Sequence, residues 1–373
     1  MVEDVTRDGK FVTPQIDFLT EEGAKRSRPC KKGTLTIVCS GTVGVTSFLA
    51  VDACIHDGFL ALVRIGSHFN DDYLYHQLSA LQETFDHSAT HGGVFTNLTT
   101  SGVRDFVVAF PPTLAEQEAI ATALSDADAL IDSLEQLIAK KRLLKQGAMQ
   151  DLLTGKNRLP GFEGEWEMTT LGDLFSFKNG LNKSKEFFGH GTPIVNYMDV
   201  FGAPILAPQQ LKGKVSLTRN ELNAYDVHCG DVFFTRTSET PEEVGLASVI
   251  TGNPFDTVFS GFVLRARPKL DVLDNAYKAY CFRTPEVRDQ IVSKASYTTR
   301  ALTNGRSLSS VKIRVPERSE QTAIAEILSD MELELDALEA KLSKARQVKQ
   351  GMMQELLTGK TRLVASPQKG GRP

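Results

Sequence analysis

The feature that constrains this chain most is a long internal repeat. Residues 112–159 and 316–363 align at an offset of 204 without a gap, and 26 of the 48 positions are identical. Each copy opens on a proline with Glu-Gln and Ile after it (Pro112, Glu116, Gln117, Ile120; Pro316, Glu320, Gln321, Ile324). Each closes on Lys-Gln-Gly-x-Met-Gln-x-Leu-Leu-Thr-Gly-Lys-x-Arg-Leu, at 145–159 and 349–363. Solenoid units recur every ~20–50 residues. A period of 204 instead means that a whole domain was duplicated together with the segment that follows it.

Both copies read as one long helix. Apolar side chains step by four and three: Ile120, Leu124, Ala127, Ile131, Leu134 and Ile138 in the first, Ile324, Leu328, Met331, Leu335, Leu338 and Leu342 in the second. Ala345, Met352 and Leu356 extend the second series, with Lys349 intervening. That is a heptad seam. Glu116, Glu118 and Glu320 lie in the first turns and Lys140, Lys141, Arg142, Lys145, Lys344, Arg346 and Lys349 in the later ones, which complements the helix dipole. Gly155 and Gly359 supply the residue that ends a helix. Roughly 40 residues at ~1.5 Å each give a rod of ~60 Å. One helix alone leaves its seam in water. The economical partner is the other copy, and two equal helices separated by a folded domain can lie antiparallel.

The segments before the helices match more weakly. Gly33–Ile37 answers Gly230–Thr235 as a glycine turn into a buried strand, and Gly58–Arg64 answers Gly261–Arg267. Helical stretches follow at 72–82 and 275–282, and final strands at 106–110 and 311–315 lead into the prolines. Residues 160–195, with Trp166, Leu171–Leu174 and Lys178–Lys183, have no counterpart in the first copy. The expected architecture is α+β, with two mixed α/β domains, each followed by a long helix. The helices are expected to pair as an antiparallel coiled coil with pseudo-twofold symmetry. The expected parts are a first domain over 1–111, short at its N-terminus, a helix over 112–159, a second domain over 160–315, a helix over 316–363 and a flexible tail over 364–373.

Chemistry is scarce in this sequence. Gly155-Lys156 and Gly359-Lys360-Thr361 suggest a phosphate loop, but the required earlier glycine is Gln150 or Gln354, and the segment follows a helix rather than opening one. Asn253-Pro254-Phe255 lacks the second proline of an amino-methyltransferase motif. His87 and His91 have metal-ligand spacing but no cysteine to complete a set. No catalytic or metal residues are assigned. Five scattered cysteines, none in a C-x-x-C pair, read as reduced thiols and place the chain in the cytoplasm. No apolar run approaches the ~18 residues of a membrane span.

Net charge is −4, which taken alone argues against coating a polyanion. The acidic excess, however, falls largely on the helices. Lys25, Arg26, Arg28, Lys31 and Lys32 cluster before the first domain's strand; Lys178, Lys183 and Lys185 flank a Gly/Asn loop; Arg288, Lys294, Arg300, Arg306, Lys312 and Arg314 crowd the end of the second domain. Polar loops such as Ser40-Gly41-Thr42, Thr235–Ser238 and Tyr297–Arg300 carry side chains suited to base edges and phosphates. Candidate DNA contacts are therefore Lys31, Lys32, Ser40, Thr42, Lys178, Lys183, Arg236, Thr237, Tyr297 and Arg300.

The paired prolines with Glu116-Gln117 and Glu320-Gln321, the two Lys-Gln-Gly…Arg-Leu endings, Gly230–Phe234, and Pro160-Gly161-Phe162 ahead of Trp166 resemble the specificity subunit of type I restriction–modification systems. The resemblance covers nearly the whole chain. It implies a non-catalytic reader whose two target-recognition domains each grip half of a bipartite double-stranded DNA target, with the paired helices as a ruler. It further implies two modification subunits, docking on a surface that includes Met149, Leu152, Leu153, Met353, Leu356 and Leu357, and restriction subunits joining them. S-adenosylmethionine, ATP and Mg would belong to those partners, with no cofactor in this chain. The other reading is a coiled-coil scaffold whose domains bind protein without DNA specificity.

Overall fold

The computed structural model describes residues 2–88, 98–297 and 299–364. His91, Gly92, Gly93 and the tail from 365 onward lie outside them. The chain divides into two compact units, one of residues 1–136 with 339–373, the other of residues 137–338.

The first unit is built on a four-stranded sheet in the order Phe11–Val12, Thr46–Leu49, Leu35–Val38, Phe59–Leu62. The Leu35–Val38 strand is antiparallel to both neighbours, and Phe11–Val12 joins the edge in parallel. Leu35, Ile37, Phe48, Leu74, Leu78 and Phe85 form the core between this sheet and the Asp71–Ala80 helix. A fully buried side chain of this kind contributes ~1.5–3 kcal/mol.

The second unit repeats that plan. Its sheet runs Ile205–Leu206, Ala247–Ile250, Val232–Thr235, Val263–Pro268 and then an additional strand, Phe175–Asn179. The four residues of Val232–Thr235 are all buried, as expected for a central strand covered on both faces. A second added strand, Glu167–Thr170, pairs with Lys312–Val315. Between the two additions, Leu171 and Leu174 of one helical turn enter the core.

These additions explain a departure from expectation. Residues 106–110 form no strand. Val107 is 93 % exposed, whereas Val311, its repeat equivalent, is fully buried. In the second unit the strand has Glu167–Thr170 to complete its hydrogen-bond ladder. Among the described residues, the first unit has no such partner.

The two long helices span Leu114–Leu152 and Arg318–Leu356. Gly155 and Gly359 take the left-handed conformation just beyond their ends. Each unit contains part of both helices, and within each unit they run antiparallel. In the first unit, ion pairs join Glu116 to Arg362, Asp128 to Lys349, and Glu135 to Arg346 at 2.6 Å, so the numbers fall on one helix as they rise on the other. In the second unit, Arg158 pairs with Glu320 at 2.6 Å, Lys145 with Glu332, and Lys141 with Glu334 at 2.7 Å. Glu116–Arg362 and Glu320–Arg158 are the same pair displaced by the repeat, as are Asp128–Lys349 and Glu332–Lys145. Ile120, Leu124, Leu134 and Ile138 of the expected seam are buried, as are Ile324, Leu328 and Leu335.

The Glu-Gln motif at each helix start fixes the helix to its domain. Gln117 is fully buried. Its Oε1 accepts from Asn70 N–H (2.8 Å), and its Nε2 donates to the carbonyls of His68 and Pro111 (2.9 Å each). Gln321 does the same for the second domain, accepting from Asp274 N–H (2.7 Å) and donating to Val272 (3.1 Å) and Pro316 (2.9 Å). Asn70 and Asp274 are the N-caps of matching helices, so each glutamine holds the capped end of a domain helix. Deeper in, His76 shares a hydrogen bond with Ser125 and Tyr280 shares one with Ser329, again at equivalent places.

Candidate nucleic-acid interface

In the second unit, the backbone gathers four loops at one end of the central strand. Leu181 N–H donates to Phe259 O (2.9 Å), and Gly261 N–H returns a bond to Leu181 O (2.7 Å). Arg236 N–H donates to Phe262 O, and Thr303 N–H to Arg236 O, both at 3.0 Å. Thr237 and Ser238 pair with Leu302 and Ala301, and Ala301 pairs in turn with Tyr297. Two glycines permit the close approach. A Cβ on Gly180 would lie 2.1 Å from Ser260 O, and one on Gly261 would lie 2.0 Å from Asn182 Oδ1.

This frame brings together Arg236, Thr237, Tyr297 and Arg300 from the candidate set. The Arg236 guanidinium donates to Gly261 O at 3.3 Å, while its Nε is enclosed without a partner. Arg300 pairs with Glu239 at 2.8 Å, with 59 % and 72 % of the two side chains exposed. An ion pair this exposed is worth little and opens easily for a ligand.

Lys178 and Lys183 are held elsewhere. Lys178 donates to Ala224 O and lies over the Tyr225 ring. Lys183 bonds Ser216 O and Glu221, each at 2.9 Å, and only 14 % of its side chain is exposed. The Thr218 backbone N–H and Lys183 together bring the Glu221 carboxyl down to about 2. Lys183, a candidate DNA contact, is thus engaged within the second unit. Arg288, from the same charge reading, is likewise structural and donates to the carbonyls of Gly245, Glu242 and Val244.

The first unit carries the same frame with different side chains. Cys39 N–H donates to Gly58 O (2.7 Å) and Leu98 N–H to Cys39 O (2.8 Å), the pattern made by Arg236, Phe262 and Thr303. Cys39 therefore stands where Arg236 stands, Ser40 matches Thr237, and Gly58 matches Phe262. The strand register agrees, with Val38 opposite Phe59 and Thr235 opposite Val263. This moves the expected match of Gly58 from Gly261 to Phe262. Burial pushes the Cys39 thiol up to about 11, so it stays protonated. Ser40 and Thr42 follow the Leu35–Val38 strand, whereas Lys31 and Lys32 precede it, with Lys31 paired to Asp52 at 2.7 Å. The two pairs therefore flank opposite ends of that strand.

Of the six side chains expected to face partner subunits, Leu153, Leu356 and Leu357 are buried and Met149, Leu152 and Met353 are partly buried. Leu356 and Leu357 are buried, and with Met353 they pack against Tyr73, Ile120 and Leu124. Leu153, Met149 and Leu152 join the main core of the second unit. The heptad shows that these positions are apolar, but not which neighbour covers them.

Sequence reasoning missed a cleft of about 310 Å³ beside Arg300, lined by Tyr197, Met198, Phe201, Phe262 and Glu239. Thr237 and Arg300 of the candidate set also line it, whereas the sequence carries no local signal for Tyr197, Met198, Phe201 and Phe262 as its apolar lining. Among the described residues no helix is long and apolar enough to cross a membrane, and no cluster of three or more His, Cys, Asp or Glu is placed to hold a metal.

Two units of one design, each clamped to a long helix by the same buried glutamine and each presenting its own loop set, define a two-headed recognition protein. The family model described as type I restriction modification DNA specificity domain matches residues 16–141 and 163–346, and the chain belongs to that family. The chain is 22 % identical over 371 residues to the type I restriction enzyme EcoKI specificity subunit of Escherichia coli K12, covering 94 % of this chain and 79 % of that one. It is 22 % identical over 330 residues to the MjaVIII specificity subunit of Methanocaldococcus jannaschii, covering 85 % and 76 %. Its fold is similar to that of the type I restriction–modification S subunit from M. genitalium, with a TM-score of 0.58 at 15 % identity over 94 % of this chain and 88 % of that one. A chain from a structural study of assembly and conformational transition in a type I restriction–modification system aligns with a TM-score of 0.53 at 16 % identity, over 88 % and 82 %.

Proposed function

We propose that this chain is the sequence-choosing subunit of a type I restriction–modification complex, with each unit reading one half of a bipartite duplex target. The observation that carries the reading is the duplicated loop frame, in which Cys39 and Arg236, Ser40 and Thr237, and Gly58 and Phe262 occupy matching backbone positions. A protein binding one ligand twice would keep like side chains there. Unlike side chains on one frame suit an asymmetric target. Arg236, Thr237, Tyr297 and Arg300 supply the donors that reach base edges and phosphates in the second unit.

In this reading the chain alone catalyses nothing. Two modification subunits bring S-adenosylmethionine, restriction subunits bring ATP and Mg, and the complex works in the cytoplasm. Leu144 and Val348 match across the repeat and are 50 % and 47 % exposed, which supports two equivalent docking places. The test is methylation-site mapping of the complex with its modification subunits. One bipartite asymmetric target is expected, with Arg236→Ala and Arg300→Ala each relaxing or weakening the same half-site and leaving the other intact. Loss of a base contact lowers discrimination by ~1–3 kcal/mol. If both variants leave affinity and target unchanged at moderate salt, the reading loses its site. If the complex has no sequence preference, the scaffold reading takes its place.

A further inference from the structure

The cleft beside Arg300 has a property that the fold does not need. Phe262 is 62 % exposed and Met198 is 68 % exposed, and both line it together with Tyr197 and Phe201. The rest of the lining is polar, formed by Thr237, Ser238, Glu239, Glu243 and Arg300, with the buried Ser238 hydroxyl donating to Glu243 at 2.8 Å. The repeat supplies the control: the frame position of Phe262 is Gly58 in the first unit, and the same backbone hydrogen bond forms there without any side chain. An aromatic ring is therefore not required to build this corner. In the second unit it is held outward on a rigid loop, because Gly180 and Gly261 let the 260–262 segment lie directly against 180–182.

An exposed apolar lining beside Arg300 and Thr237 fits one feature of the duplex. In the major groove, base pairs present donors, acceptors and a single apolar group, the C5-methyl of thymine. We infer that Phe262 and Met198 seat a thymine methyl in the half-site read by the second unit, with Arg300 freed from Glu239 to contact the neighbouring base or phosphate. The inference rests on the proposed DNA-reading role and names a specificity-determining contact within it.

The test uses the assembled complex with its modification subunits and duplexes carrying the mapped target. Each thymine is replaced in turn by deoxyuridine, which removes the methyl group and keeps the pairing. Removing one methyl from an apolar pocket lowers binding by roughly tenfold or more. A loss of that size is expected at one position of one half-site. Phe262→Ala should bind the thymine and uracil duplexes alike at that position, and Met198→Ala should narrow the gap. Phe262 is solvent-facing, so neither variant endangers folding, and the other half-site serves as the internal standard. If the wild-type complex tolerates uracil at every position, or if Phe262→Ala keeps the full discrimination, the inference is overturned. A stacking platform would give the first of these results, because uracil stacks without a methyl. A complex with no sequence preference defeats the DNA-reading role itself, and the inference with it.

Discussion

Replacing Gln321 by leucine tests how the second domain is held to its helix. The side chain is almost fully buried and makes three hydrogen bonds, to Asp274 N–H, Val272 O and Pro316 O. Leucine keeps most of the volume and removes every polar atom. Each backbone group left unsatisfied in the interior costs ~1–3 kcal/mol. Val272 is partly open to solvent and Pro316 is buried, so water can restore some of the loss. The low end for each group gives about 3 kcal/mol. For a unit of some 200 residues, ~1 kcal/mol corresponds to ~2–4 °C, so its unfolding should come ~6–12 °C earlier. Amide exchange read by mass spectrometry localises the effect, with faster opening expected in 272–281 and no change in 68–80. Gln117→Leu should reverse the pattern. Gln321→Glu should be at least as damaging at neutral pH, because a carboxylate would face two carbonyls. A shift under ~2 °C, or equal loosening of both units, refutes the idea that each glutamine is a domain-specific clamp.

Gly180→Ala should weaken recognition of the second unit's half-site more than Gly261→Ala. The first places its Cβ 2.1 Å from a backbone oxygen and the second meets the tip of a flexible Asn182 side chain, and half-site-resolved binding compares them. Seven residues inserted after both Leu134 and Leu338 keep the heptad and lengthen each helix by about 10 Å. Mapped spacers should then grow by roughly three base pairs at ~3.4 Å each, and an unchanged spacer removes the ruler role. Burial, reinforced by Lys10, lowers the His76 imidazole from 6.5 to about 4, so the unfolded state binds more protons between those values. The stability carried by the neutral ring, about 3 kcal/mol, is present above pH 6.5 and lost as pH falls toward 4. His76→Tyr, copying Tyr280, should make the first unit less acid-sensitive by unfolding across that range.

The long helices were legible because their signals are local: heptad spacing, early acids, late bases and a closing glycine. The Glu-Gln motif was equally visible, but its work was not, because Gln321 reaches partners 47 and 49 residues upstream and Arg158 meets Glu320 across 162 residues of chain. The expected strand at 106–110 failed for a related reason. A strand needs a neighbour, and composition does not reveal that its neighbour in the other copy comes from the added segment at 167–170. Lys183 belongs to a basic group flanking a Gly/Asn loop. The Thr218–Glu221 capping box, a local motif 35 residues away, supplies the carboxylate that takes it. Charge clusters predict a positive surface only when no carboxylate folds back onto them.

Because the two units share a frame, the first can be given the second's contact. Gly58→Phe would place a ring where Phe262 stands. The backbone there permits a side chain, since Gly58 does not occupy the left-handed region. A Cβ would meet only the His56 ring, at 2.6 Å; that ring is 46 % exposed, and to make room it must give up the bond its Nδ1 accepts from Gly58 N–H (2.9 Å) and its edge contact with Phe59. The Gly58 carbonyl still accepts from Cys39 N–H, so the corner should keep its geometry. Cys39 cannot become Arg236 in the same way, because it is 5 % exposed and a guanidinium would have to be buried. The ring is therefore the transferable part of the reading surface and the arginine is not. The variant complex is expected to acquire a thymine preference, sensitive to uracil, at one position of the first unit's half-site, while the other half-site stays as it was. If methylation-site mapping of a folded Gly58→Phe complex returns the original target in both halves, then matching backbone positions do not face matching places on the DNA, and the shared frame is only architecture.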